Sequence, residues 1–338
     1  MLQTIKSMYN NVSYAVKVNG HLTPFFEITK GAKQGCNLSP TLFHIFINDL
    51  AEELNNLGYG IKFGEKVISV LLFADDIAIL ARSENDLQNM LNAVDNWCKK
   101  WRLSINPKKS KVIHFRFKGK KRSTFNFKCG DHNIELTDKY KYLGIHMNEH
   151  NDHDVTVKQL ASSASRALGS LITKFYQKGG MDYQVYTKLY NALIVPILTY
   201  AAPIWGYRKY KEIDAIQLKA SKIFLGLNRT SSNIAAVGDM GYVSCYARQL
   251  AECYRMHIRL TNMSSTRLPK CVYKHSMSYA SSIDRFTIRK FQESDIECNF
   301  NVFKTKEHVK DQIVNVRSLI HEVEQKDWYD KMWDDRNN

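Results

Sequence analysis

The chain has 338 residues, 44% of them hydrophobic and 24% charged, with six prolines and sixteen glycines. That balance excludes a disordered chain and a collagen-like or linker-dominated one, and the length allows two domains. Forty-eight Lys and Arg against 33 Asp and Glu leave a formal charge of +15, which favours a polyanionic partner, nucleic acid ahead of a membrane surface.

Seven cysteines lie scattered at 36, 98, 129, 245, 253, 271 and 298, with no Cys-x-x-Cys pair. Reduced thiols in an intracellular compartment, cytoplasmic or nuclear, are the expectation. The N-terminal residues Met1 to Lys6 have no long apolar run of the kind a signal peptide needs. Residues 189–207 carry no charge and are nearly long enough to span a bilayer, but Pro196, Pro203, Asn191, Thr199 and three tyrosines suit a hydrocarbon environment poorly. They predict a buried helix broken at its prolines and no membrane partner.

In chain order, Val12 to Val18 alternates like a half-buried strand, and Asn19-Gly20 predicts a hairpin turn into Phe25-Phe26-Glu27-Ile28. Ser39-Pro40 reads as an N-cap followed by proline at the first helical position. Leu42, Phe43, Ile45, Phe46, Leu50, Leu54 and Leu57 then follow at helical spacing up to Gly58. The run from Val67 to Arg82 places two apolar segments around Asp75-Asp76, predicting a hairpin buried on at least one face. Ser83 and Asp86 resemble a capping box, opening a helix with Leu87, Met90, Leu91, Val94, Trp97 and Trp101 on one side. Residues 99–128 hold twelve Lys or Arg and no acid, and the alternation of Phe115, Phe117, Phe125 and Phe127 predicts strands carrying that charge. From Asp154 the period becomes helical, with Val155, Leu160, Ala164, Leu168, Leu171 and Phe175 on one face. Further helices are predicted around 182–202, 212–226, 241–262 and 305–325. The chain thus divides near 150 into a mixed sheet-and-helix part, 1–150, and a helical part, 151–338: an α+β protein.

Two adjacent aspartates repel, and in a low dielectric one would be protonated unless a cation neutralised them. Mg²⁺ suits such a site, because it combines few carboxylates with substrate phosphates. Around the pair stand three further blocks in order: Gly31-Ala32-Lys33-Gln34-Gly35-Cys36-Asn37-Leu38-Ser39-Pro40, then Leu103-Ser104-Ile105-Asn106-Pro107-Lys108-Lys109-Ser110-Lys111, then Lys141-Tyr142-Leu143-Gly144-Ile145. The set, with Phe73-Ala74-Asp75-Asp76 at its centre, closely resembles the palm of reverse transcriptases of non-LTR (LINE-type) retrotransposons. Pro196-Ile197-Leu198-Thr199-Tyr200-Ala201 and Ile204-Trp205-Gly206 resemble the continuation found in those elements, a helical thumb.

The resemblance implies a partial polymerase palm, an antiparallel sheet with helices, over 1–150. It implies that Asp75 is a ligand of a two-Mg²⁺ centre, with Asp76 assisting or binding the second ion. Gln34 and Gly35 would lie against incoming nucleotide and template, where glycine permits close backbone approach. Lys109 would sit near the triphosphate, and Tyr142, Leu143 and Gly144 would help hold the primer end. RNA template, DNA primer and deoxynucleoside triphosphates are the implied partners, and two-metal transfer to a primer 3′-hydroxyl the implied chemistry. Members of this family also have an aspartate bridging both metals, on a strand several tens of residues before the Gln-Gly block. Here only thirty residues precede Gly31, with Glu27 as their sole acid. The expectation is therefore an N-terminally truncated fragment that lacks the fingers and one shared ligand and does not polymerise alone. The alternative is a non-catalytic nucleic-acid-binding transposon remnant. A third possibility, an uninvolved helical scaffold, would leave the charge unexplained.

Other clusters have plainer explanations. Cys253-x3-His257 and Cys271-x3-His275 have zinc-ligand residue types, but no closely spaced cysteine pair begins the set, so a packed helix and no zinc are expected. Glu149 to Asp154 reads as a loop with Asp152 or Asp154 capping the following helix. Trp97 and Trp101 are core or partner anchors before they are stacking platforms.

Overall fold

The structure, a computed structural model, describes residues 1–338 apart from 11, 28–30, 32, 34, 280–282, 294–312, 323–324 and 327–338. It is a mixed α+β molecule in two compact units. The first comprises 1–62, 67–105 and 128–131, the second 63–66, 106–127 and 132–338. Most of the strands after 105 group with the helices that follow them.

In the first unit, Asn19 (φ 49°) and Gly20 (φ 87°) both take the positive φ that a two-residue turn needs, and pair Val18 with His21. Phe26 and Glu27 pair back onto Ser13 and Tyr14. The helix Ser39–Asn56 and the helix Glu84–Trp101 pack through Leu50, Leu54, Met90, Val94 and Trp97, all buried. Phe46 lies 5.5 Å from Trp97 and 5.2 Å from Trp101, ring to ring, and Trp97 Nε1 donates to Asp49 at 3.0 Å. Trp101 keeps 41% of its surface exposed, so the apolar stripe runs out at the last turn. The cap at Ser83 forms as expected, its hydroxyl accepting from the Asp86 amide at 3.1 Å.

Ser39 does not cap its helix. It is the first helical residue, and its hydroxyl lies 2.8 Å from the hydroxyl of Tyr9, the last residue of a helix Leu2–Tyr9 that no periodicity announced. The aspartate hairpin, Val70–Phe73 with Asp76–Ile79, forms in the expected register, yet none of its residues is buried. Its two strands make a sheet of their own among the described residues. Val70 and Leu72 are half-buried, the strand lying against the helix Ser39–Asn56, while Leu71 and Phe73 face solvent.

In the second unit, Lys111–Ile113 pairs in parallel with the end of His132–Thr137, Val112 opposite Leu136; Phe127–Cys129, of which only Phe127 belongs to this unit, is a further strand. The basic segment is thus stranded only at its two ends. Phe115 and Phe117 do not alternate in a ladder; they lie on a loop, because residues 114–126 find no strand to pair with. Lys139–Tyr142 and Ile145–Asn148 form a hairpin closed by Leu143 (φ 47°) and Gly144 (φ 84°). The Thr156 hydroxyl fixes this hairpin to the helix Asp154–Gln177, accepting from the His146 amide and donating to the His146 carbonyl, each at 3.0 Å. Neither aspartate occupies the cap position itself. Asp152 nevertheless accepts from the Asp154 amide at 2.8 Å as the helix begins.

Leu160, Ala164, Leu168 and Leu171 of that helix enter a core with Tyr186, Tyr190, Ile194, Leu198, Trp205 and Ile213. The uncharged run divides as its prolines demand, into Tyr183–Leu193, Val195–Leu198 and Ala202–Trp205. No helix among the described residues is long and apolar enough to cross a membrane. The helices Lys211–Phe224 and Cys245–Thr261 answer two further expectations, whereas Asn233–Met240, Leu268–Met277 and Ile283–Glu293 were not foreseen. Of the stretch expected at 305–325, residues 305–312 and 323–324 lie outside the described ones, and 313–322 are helical.

Among the described residues two imidazoles are buried here. Burial lowers the pKa of His153, aided by Arg208 and opposed by Asp152 and Asp154; burial likewise lowers that of His257, opposed by Asp284. A depressed folded pKa means that the unfolded chain binds more protons as pH falls below about 6.5, so acid favours unfolding. The midpoint of thermal unfolding should therefore drop between pH 7.5 and 5.5 at constant ionic strength, and drop less in His257→Gln. An equal drop in that variant would show that His257 contributes nothing to it.

Candidate functional site

The tip of the aspartate hairpin is built from Ala74 and Asp75, between the paired residues Phe73 and Asp76. Ala74 has φ 51°, a left-handed conformation in which a Cβ costs on the order of 1 kcal/mol or more. Asp75 and Asp76 are both exposed. Among the described residues no group of three or more His, Cys, Asp and Glu side chains gathers in metal-binding fashion. The pair therefore offers hard oxygen donors on one side only.

Gln34 lies outside the described residues. Gly35 has φ +78°, and apart from its two chain neighbours no atom lies within 4 Å of where its Cβ would stand. The glycine thus answers a backbone requirement and leaves its outer face open. Cys36, next in sequence, has a sulfur that meets the start of the helix Ser39–Asn56. The Leu38 amide, then the Ser39 hydroxyl and amide and the Tyr9 hydroxyl, lower its thiol pKa to about 7. Sequence reading assigned this cysteine no role; its position just before a helix start was the available signal.

The remaining candidates belong to the second unit. Asn106 holds the turn that presents Lys109, its side-chain oxygen accepting from the amides of Lys108 (3.1 Å) and Lys109 (3.3 Å). The Lys109 side chain is exposed, and its carbonyl accepts from the Tyr140 hydroxyl at 2.8 Å. That bond ties the Asn-Pro-Lys-Lys block to the hairpin bearing Tyr142, Leu143 and Gly144. Tyr142 is half-buried and Leu143 exposed. The Tyr200 hydroxyl donates to the Leu143 carbonyl at 2.9 Å, and its ring stands 2.9 Å from the place a Gly144 Cβ would take. Tyr200 is held in turn by Trp205, whose Nε1 donates to the Tyr200 carbonyl at 2.9 Å. Two separately noted blocks, Tyr-Leu-Gly and Thr-Tyr-Ala, are therefore one structural object. Tyr140, Thr156 and Tyr200 are the supporting residues that sequence reading missed.

The Cys/His set does not assemble. Cys253 sulfur lies 3.6 Å from the Ala202 carbonyl, His257 Nδ1 lies 3.3 Å from the Tyr273 hydroxyl, and Cys271 lies 3.2 Å from the Ser265 carbonyl.

The family model for reverse transcriptase (RNA-dependent DNA polymerase) matches residues 1–147. That segment is similar to the reverse transcriptases of non-LTR retrotransposons. It is similar to the RNA-directed DNA polymerase from mobile element jockey of Drosophila funebris, 28% identical over 235 residues, covering 66% of this chain and 24% of that protein. It is also similar to the probable RNA-directed DNA polymerase from transposon X-element of Drosophila melanogaster, 22% identical over 269 residues, covering 76% and 28%. The Pol polyprotein from retrotransposable element R2DM of the same fly is 27% identical over 148 residues, covering 42% and 14%. The chain spans about a quarter of the length of the first two relatives. Likeness to the X-element protein extends over more of the chain than the matched 147 residues, so it reaches the helical part as well.

Two measurements check this local architecture. Gly144→Ala should lower the urea midpoint by the equivalent of about 1–2 kcal/mol, because a left-handed alanine is strained even if the Tyr200 ring moves aside. Tyr200→Phe should cost about 1 kcal/mol, the order of one hydrogen bond. Unchanged midpoints in both would show that the turn is not braced in this way. Second, iodoacetamide at pH 7 followed by peptide mass mapping should label Cys36 first, ahead of Cys129 and Cys253, whose thiols burial pushes up to about 11 and about 12. Equal labelling would refute the helix-start account of Cys36.

Proposed function

We propose that this chain carries the carboxylate turn and the primer-side elements of an intracellular RNA-directed DNA polymerase from a LINE-like retrotransposon, acting on an RNA template, a DNA primer and deoxynucleoside triphosphates. The observation that carries this reading is the exposed Asp75–Asp76 pair on a strained hairpin tip, inside the segment that matches reverse transcriptases. Asp75 and Asp76 fit Mg²⁺ in donor chemistry: two adjacent carboxylates open to solvent, leaving the other positions of an octahedral ion to water and phosphate oxygens. When bound, Mg²⁺ lowers the pKa of a primer 3′-hydroxyl and stabilises charge on departing pyrophosphate. The residues of the chain bind and orient. Gln34 and the open backbone at Gly35 serve nucleotide and template, and the exposed Lys109 ammonium serves the triphosphate. The rigid Tyr142-Leu143-Gly144 turn serves the primer end.

The same donor set limits what the described residues do unaided. Two carboxylates from one turn approach a metal from one side, and phosphoryl transfer tolerates misplacement of only about 1 Å. A supporting carboxylate from outside these residues completes the centre. A second reading, a non-catalytic nucleic-acid-binding transposon remnant, draws on the same shortage of ligands among the described residues.

Primer extension on an RNA template with Mg²⁺ should show no incorporation above that of Asp75→Asn; extension that this variant abolishes would overturn the insufficiency. A Mn²⁺ titration followed by water-proton relaxation separates the two readings. Binding that is lost in Asp75→Asn supports the polymerase turn, and no binding in either protein supports the remnant.

A further inference from the structure

The loop between Lys111–Ile113 and Phe127–Cys129 contains the most solvent-exposed aromatic ring among the described residues. Phe117 is 87% exposed, and Phe115 two residues before it is 49% exposed. Holding such a ring in water is unfavourable, and a slack loop could fold it away. This loop is not slack. The Arg116 amide donates to the Glu149 carbonyl at 2.8 Å, and its guanidinium meets both carboxylate oxygens of Glu149, Nη2 at 2.7 Å and Nε at 3.2 Å. Both side chains are largely buried, so the pair is shielded from solvent more than a surface ion pair is. Arg116 also donates to the Lys120 carbonyl, the Lys120 amide donates to the Phe117 carbonyl at 3.1 Å, and His150 Nδ1 lies 3.1 Å from the Arg116 carbonyl. At the loop base the Ser123 amide donates to His114 Nδ1 at 3.1 Å.

The result is a braced finger with Phe117 at its tip. Lys118, Lys120 and Lys121 follow it within four residues, all exposed, and among the described residues none has an ion-pair partner. Glu149 already engages Arg116 and stands 3.5 Å from Arg122. A ring flanked by unneutralised ammonium groups matches one ligand chemistry well: a base to stack on and phosphates on either side.

We infer that residues 115–122 form a binding site for single-stranded nucleic acid, with Phe117 stacking on an unpaired base, Lys118, Lys120 and Lys121 contacting the flanking phosphates, and Arg116–Glu149 as the brace. This inference rests on reading the chain as a nucleic-acid polymerase part and adds to it a site outside the aspartate turn. Single strands are preferred over duplex because a base inside a duplex has no free face to offer the ring.

The test uses the full chain and a twelve-nucleotide RNA with a central 2-aminopurine, read by fluorescence and by anisotropy across a salt series. Wild type should quench the fluorophore. Phe117→Ala should lose the quenching and bind about tenfold more weakly, the order expected for one stacked base. Its salt dependence should be unchanged, and Phe117→Trp should restore both signals. The triple variant Lys118→Ala, Lys120→Ala, Lys121→Ala should instead reduce the log–log salt slope by about two, from three lost phosphate contacts on a single strand. Affinity for a blunt RNA duplex should be the same for wild type and Phe117→Ala. Matching thermal unfolding curves establish that the variants are folded. If wild type binds single strands and Phe117→Ala binds and quenches equally, the finger is refuted while the wider reading stands. If wild type binds no oligonucleotide, both fall. Binding to anionic vesicles but not to oligonucleotides would identify the finger as a membrane contact and overturn the inference.

Discussion

Ala74 and Leu143 sit in the left-handed region of backbone space, where an L-residue with a Cβ is disfavoured by on the order of 1 kcal/mol or more. Each is the first residue of a two-residue hairpin tip, and each tip lies in a block that resembles the reverse-transcriptase palm. Strained tips persist only where the structure beneath them is stiff. At Ala74 the strand Val70–Phe73 lies on the helix Ser39–Asn56, which Phe46, Trp97 and Trp101 seat against its neighbour. At Leu143 the support is more specific: a hydroxyl from Tyr200 on the turn itself and a hydroxyl from Thr156 on the strand behind it. Glycine at 144 admits the Tyr200 ring, so the same residue satisfies the turn and the packing.

The two kinds of charge in the molecule are handled in opposite ways. Asp75 and Asp76 stand together in water, where hydration rather than a partner makes their proximity tolerable. Arg116 and Glu149 are withdrawn from water and neutralise each other with good geometry, an arrangement that specifies one loop conformation rather than adding much stability. An exposed unpaired pair is what a site for an arriving cation requires; a buried satisfied pair is what a fixed support requires.

Much of this was legible in the residues, and the failures have physical causes. Local signals held: Asn19-Gly20 turned, Ser83 capped its helix, and Pro196 and Pro203 broke the apolar run. In each case the deciding interaction lies within a few residues. What failed was decided at long range. Ser39 looks like a cap, but its hydroxyl meets Tyr9 thirty residues earlier. The phenylalanine alternation from 115 to 127 has the period of a strand, yet a period makes a strand only where a partner strand offers its amides and carbonyls. The role of Tyr200 depends on a contact 57 residues away, and no pattern in its own turn between Leu198 and Ala202 signals it. The aspartate pair was readable because its oddity is local.

The parallel pairing of Lys111–Ile113 with 135–137 has an evolutionary consequence. The sheet is closed by strands on either side of the loop 114–126, and the Arg116–Glu149 brace pins that loop near its start, so residues beyond the brace bear little of the closure. Lengthening a flexible loop is cheap, about 0.6 kcal/mol for each doubling. Insertions or deletions between Lys118 and Thr124 would therefore cost the Lys120 and Ser123 bonds of the loop but leave the Tyr-Leu-Gly turn undisturbed. The reach of the finger is free to drift while the turn stays fixed.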